Sequence, residues 1–140
     1  MTTNAISGVG TTFGRENDAS SGVYTNLAEV NRIEGPSMTR EFIDVTSLDS
    51  TGGYREYIGG FRDPGTVELD MNFTIDGFNT MKDDFESSSA VGYQIVLPDT
   101  GATTLQFDGF VTELPLSIVP DDKVTMSITI KITGQVDLTT

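Results

Sequence analysis

The 140 residues include 21 acidic and 8 basic side chains, a net charge of −13, with no histidine and no cysteine. Those absences exclude Ser-His and Cys-His nucleophilic pairs and imidazole or thiolate zinc sites, and the acidic balance opposes ordinary binding to nucleic-acid phosphates. The length suits one domain that buries roughly 68–70% of its unfolded surface without a staple, and no stretch approaches the ~18 apolar residues of a membrane span.

Residues 1–22 are rich in Thr, Ser, Gly and Asn, with Ile6, Val9 and Phe13 as apolar groups. This composition predicts a flexible N-terminal arm, 1–22, ahead of a single β domain, 23–140, with a short strand opening at Phe13. Met1 to Gly10 lacks the basic and apolar regions of a Sec-type signal. Tyr24 to Glu34 alternates loosely and stops at the turn signal Gly35-Pro36.

Thr39 to Thr46 reads as a strand. Ser47 to Gly65 then combines paired glycines with Tyr54, Tyr57, Ile58 and Phe61, without a regular period. It is predicted to be an extended assembly loop, 47–65, mobile in the free subunit, whose aromatics need a cover. Thr66 to Ile75 follows with a faultless period of two. Val67, Leu69, Met71, Phe73 and Ile75 should face the core, and Glu68, Asp70, Asn72 and Thr74 the solvent.

Asp76 can cap a helix over 78–87, with Phe78, Met81 and Phe85 as its apolar stripe. Val91 to Leu97 ends at the turn Pro98-Asp99-Thr100-Gly101, and Thr104 to Leu114 is its expected hairpin partner. Val124 to Ile132 closes the fold with a second clean alternation. The predicted fold is mainly β: an antiparallel sandwich or barrel with one flanking α-helix.

The remaining chemistry is weak. Asp44 to Glu56 has the length of a calcium loop, but Thr46, Leu48 and Ser50 fill ligand positions and no glycine marks its turn. The pairs Asp83-Asp84 and Asp121-Asp122 place neighbouring carboxylates in diverging directions. Glycines 8, 10 and 14 form no dinucleotide or phosphate loop. Aromatics 54, 57 and 61 could stack bases, but Asp49, Glu56 and Asp63 surround them, which favours contact with protein. No catalytic residue, metal site or cofactor is expected.

One sequence of features is distinctive. The strand Arg40-Glu41-Phe42-Ile43-Asp44-Val45-Thr46 leads to Gly52-Gly53-Tyr54-Arg55-Glu56-Tyr57-Ile58-Gly59-Gly60-Phe61-Arg62, and a new strand opens after Asp63-Pro64-Gly65. With the Gly10-Thr11-Thr12-Phe13 opening, this order resembles the tail-tube (major tail) proteins of lambda-like long-tailed bacteriophages. The resemblance implies hexameric rings that stack into a hollow tube in the virion tail, assembled in the bacterial cytoplasm. Tape measure, terminator and baseplate or tip proteins would be partners, with genomic DNA passing through unbound and no membrane involved. It assigns inter-ring contacts to the arm, to Asp137–Thr140 and to the loop, with Tyr54, Arg55, Glu56, Tyr57, Phe61, Arg62 and Asp63 as contact residues. Glu68, Asp70 and Asn72 would face an acidic lumen. Two rivals stand beside it: a tube protein of a contractile injection or secretion system, and a monomeric carbohydrate- or cation-binding β module.

Overall fold

The computed structural model describes residues 5–17 and 22–139. In chain order its strands are β1 (Thr12–Glu16), β2 (Tyr24–Asn26), β3 (Val30–Glu34), β4 (Thr39–Asp44), β5 (Tyr57–Asp63), β6 (Thr66–Asn72), β7 (Val91–Val96), β8 (Thr104–Glu113), β9 (Leu116–Ser117) and β10 (Thr125–Thr139). Helix α1 (Ile75–Glu86) lies between β6 and β7.

The two strands with the cleanest alternation form the centre. Val67, Leu69 and Met71 of β6 are fully buried and stand opposite Ile130, Ile128 and Met126 of β10, also fully buried. An antiparallel register that aligns two alternating strands puts every apolar side chain on one face. Outward from this pair the sheet runs β2-β1-β7-β8-β10-β6-β3, with β9 paired to β10.

The two ends of that sheet, β2 and β3, are neighbours in sequence. The Leu27 amide still donates to the Phe13 carbonyl of β1 (2.8 Å), whereas the Glu29 carbonyl already accepts from Asn72 of β6 (3.0 Å). Four residue steps, from Asn26 to Val30, span at most roughly 14 Å. The sheet must therefore curl until its edges nearly meet, wrapping one core contributed by β1, β6, β7, β8, β10 and α1. This is the antiparallel sandwich or barrel with a flanking helix that the alternation predicts.

Several boundaries differ from the sequence reading. The expected flexible arm contains β1, and Phe13 is fully buried, with its ring 5.6 Å from Tyr93 and 6.4 Å from Phe107. One aromatic ring docked on two others orders a segment whose composition argues for mobility. Residues 1–4 and 18–21 of that arm, and Thr140, lie outside the described residues. The helix starts at Ile75, not 78, because Thr74, not Asp76, caps it: its hydroxyl accepts from the Gly77 amide at 3.1 Å. Asp76 sits instead in the first turn, where its charge suits the helix dipole. Of the expected stripe Met81 is buried, but Phe85 is half exposed and Asp84 takes the inward position.

The largest correction concerns 47–65. Residues 57–63 are not irregular: they form β5, paired with β4 in a separate two-stranded sheet, Thr39 opposite Asp63 and Asp44 opposite Tyr57. Since β3 also pairs with β6, the segment from Val30 to Asn72 is one long hairpin whose outer half leaves the main sheet. The departure is built from Gly35 and Gly65, both at positive φ (111° and 80°). A Cβ at Gly65 would overlap the Ser37 carbonyl, and one at Gly35 the Thr66 carbonyl, so the two chains can cross this closely only without side chains.

Candidate assembly surface

The β4–β5 hairpin buries almost nothing. Every residue of β4 is exposed, as is every residue of β5 except Gly60. Yet the hairpin and its tip hold Phe42 (70% exposed), Ile43, Val45, Leu48, Tyr54 (77%), Tyr57, Ile58 and Phe61 (86%). The single internal aromatic contact is Phe42 edge-on to Tyr57, with centroids 6.5 Å apart. Soluble monomers rarely expose a contiguous apolar surface of this kind, and where they do it marks an interaction site.

Polar bonds shape the tip between the strands. The Val45 amide donates to the Glu56 carbonyl (2.9 Å), and the Glu56 amide donates to the Thr46 hydroxyl (2.7 Å). The Ser50 hydroxyl donates to the Glu56 carboxylate (2.8 Å), and a short 3-10 turn covers Thr51–Gly53. Asp44 accepts from the Thr46 amide (2.8 Å) and from Arg55 Nη1 (3.1 Å). Hydrogen bonding from Thr46, then from Arg55, holds the Asp44 carboxyl below its ordinary range.

The seven sequence-predicted contact residues all fall on this projection. Tyr54, Arg55 and Glu56 lie on the return side of the tip, and Tyr57, Phe61, Arg62 and Asp63 on β5. Arg55 also has a partner within its own chain, Asp44. At 72% exposure the guanidinium is screened by solvent, so the pair is weak and leaves Arg55 accessible. Asp63 accepts from the Gly65 amide (2.8 Å) and pairs with Lys131 (3.4 Å), which together draw its carboxyl below the usual range. Arg40 of β4, and Met38 just before that strand, belong to the same surface but are not among the seven. Their signal lay in the pairing of β4 with β5, which periodicity cannot reveal when both faces are wet.

Glu68, Asp70 and Asn72 share the face of β6 opposite the core, as the alternation predicts. They are not equivalent. Glu68 is exposed, but Asp70 pairs with Arg32 (3.2 Å) and accepts from Ser127 Oγ (2.8 Å), and Asn72 bonds to Asn31 (2.9 Å). Among the described residues no group of three or more His, Cys, Asp or Glu side chains could hold a metal ion, and no helix is long and apolar enough to cross a membrane.

The fold has solved counterparts. The chain is similar to a protein in the tail of an empty gene transfer agent particle, refined helically with C6 symmetry: TM-score 0.78, 23% identity, covering 97% of this chain and 100% of that one. It is similar to the sheath/tube terminator of an extracellular contractile injection system, at TM-score 0.74 and 12% identity over 100% of both chains. A third counterpart is the SPP1 tail tube, at TM-score 0.66 and 11% identity, covering 90% of this chain and 74% of that one. No curated protein matches the sequence. A family profile, the lambda phage tail tube protein (TTP), matches residues 6–139. The exposed hairpin, the curled sheet and the flanking helix thus fall within one profile that spans nearly the whole chain, and the chain belongs to the lambda phage tail tube protein family.

Proposed function

We propose that this chain is the structural, non-enzymatic subunit of a phage tail tube, forming hexameric rings that stack around an acidic channel for DNA. The observation that carries the reading is the exposed hairpin: an apolar projection that none of the described residues covers. Family membership and the C6 symmetry of the similar gene transfer agent tail support it. On this reading the subunit resides in the virion tail, is assembled in the host cytoplasm, and meets tape measure, terminator and baseplate proteins at the tube ends. Electron microscopy of concentrated purified protein should show rings or tubes with sixfold symmetry. A monomer at every concentration would reverse the conclusion and favour a solitary binding module.

Of Glu68, Asp70 and Asn72, the three side chains proposed for the lumen, Glu68 offers the cleanest test. Asp70 is shared with Arg32 and Ser127, whereas Glu68 is free to present its charge. A negative wall repels DNA phosphates and keeps the genome sliding. Glu68→Lys should change subunit stability by no more than about 0.5 kcal/mol, as exposed substitutions usually do. Tails should form normally but release DNA more slowly. Wild-type release kinetics would move Glu68 out of the channel.

A second reading, the tube of a contractile injection system, draws on the similarity to the contractile-system terminator. A sheath around the tube in micrographs of native particles would favour it over a non-contractile tail.

A further inference from the structure

The chain pairs most of its scarce cations. Arg15 meets Asp84, Arg32 meets Glu34 and Asp70, Arg55 meets Asp44, Lys82 meets Glu86 and Lys131 meets Asp63. Among the described residues Arg40, Arg62 and Lys123 have no acidic partner, and the two arginines stand directly opposite each other in register at the base of the hairpin. Like charges in register destabilise a strand pair. The Arg40 guanidinium lies over Gly59, which has no side chain to displace it. In a chain with a net charge of −13, two neighbouring arginines that pair with no carboxylate are a site prepared for an anion from outside.

The shape of the site narrows that anion. Arg40 and Arg62 line an open cavity of about 580 Å³ together with the apolar Met38, Pro64 and Val136 and the polar Thr39, Asp63 and Gln135. Its one carboxylate, Asp63, is engaged by Lys131 and the Gly65 amide, so the cavity combines apolar walls with two arginines it leaves unpaired. A phosphate would satisfy the arginines but leave the apolar walls wet, and the acidic surface around them repels a polyanion. An aliphatic segment ending in carboxylates fits both features.

The chain carries such a segment. Ile118 (71% exposed) and Val119 (50%) protrude ahead of Pro120, Asp121 and Asp122, all three exposed. A tight turn, closed by the Asp122 amide on the Val119 carbonyl (3.1 Å), holds this segment. Its position matters most. β6 starts at the hairpin with Thr66 opposite Lys131 and ends with Asn72 opposite Thr125, so the 118–122 turn sits at the far end of the same strands. A seven-residue strand separates the two features by roughly 20 Å.

We infer that the Arg40–Arg62 cavity of one copy receives the Ile118–Asp122 turn of another, an end-to-end contact between stacked subunits. Complementary features at opposite ends of one subunit make a heterologous contact, which propagates without closing. Pairing cavity to cavity would bring four guanidinium groups together and is disfavoured. This inference rests on the tube reading and adds to it the residues that join one layer to the next.

Charge reversal tests it. Arg40→Glu with Arg62→Glu, and separately Asp121→Lys with Asp122→Lys, should each raise the critical concentration for tube growth by about tenfold or more, since like charges face each other in the contact. The fourfold variant that exchanges both sets should return to within about threefold of wild type, with thermal unfolding of all three subunits showing that they are folded. If wild-type protein forms no tubes, the tube reading falls and the contact with it. If wild type forms tubes and the arginine variant does so at the same concentration, the contact alone is overturned. Loss of tubes in the arginine variant but not in the aspartate variant, or failure of the exchange to rescue, also overturns it. So does normal tube growth accompanied by loss of DNA binding in a gel shift, which would make the arginines a phosphate site.

Discussion

Replacing Arg15 with Met is expected to lower the stability of the subunit by about 3–5 kcal/mol, because it strands a buried carboxylate. Asp84 is 2% exposed. It accepts a bidentate pair from Arg15, Nε at 2.7 Å and Nη2 at 2.5 Å, and a third bond from the Tyr93 hydroxyl at 2.9 Å. The bond to Asp84 holds the Arg15 guanidinium charged, and burial pushes the Tyr93 hydroxyl far above its ordinary range. The three residues come from β1, α1 and β7, so the cluster clips the helix and the first strand to the sheet. Arg15 retains some access to water, with a quarter of its side chain exposed, so Asp84→Ala should cost less than Arg15→Met. Replacing both with apolar residues should recover part of the loss, since no charge is then left unpaired. Urea unfolding of the two single variants and the double variant measures this directly. A single-variant loss under about 1 kcal/mol, with additive effects, would show that the clip contributes little.

The second large effect is on assembly and not on folding. Phe42→Ser, Tyr57→Ser and Phe61→Ser together should leave subunit unfolding nearly unchanged, because none of the three belongs to the core formed around Phe13, Tyr93 and Phe107. Their exposure in the subunit means that any burial happens between subunits. Each large apolar side chain fully removed from water contributes about 1.5–3 kcal/mol, and every 1.4 kcal/mol is tenfold in affinity. Three such losses should raise the critical concentration for tubes by roughly 10³-fold or more. Sedimentation velocity together with micrographs would register it. Tubes forming at wild-type concentration would mean that the hairpin remains in solvent after assembly.

The sequence by itself determined the parts in which one face is dry and the other wet. Val67-Leu69-Met71 and Ile128-Ile130-Ile132 declare their strands because burial on a single face imposes a period of two. The order of the 40–67 motifs also carried the family resemblance, which the profile over 6–139 bears out. Composition excluded His and Cys chemistry outright.

Tertiary structure decided the rest. Strand β5 was invisible because a strand exposed on both faces needs no alternation, and its glycines and aromatics read as a loop. Where the paired outer half of the hairpin departs from the sheet, at Gly35 and Gly65, depends on chains thirty residues apart crossing without side chains between them. Arg15 read as part of a flexible arm because its partner, Asp84, lies 69 residues away and looks like one of two surface carboxylates on a helix. A local pattern reports the environment of one segment. It cannot report which distant segment supplies that environment, and both the buried ion pair and the unpartnered arginines arise from that choice.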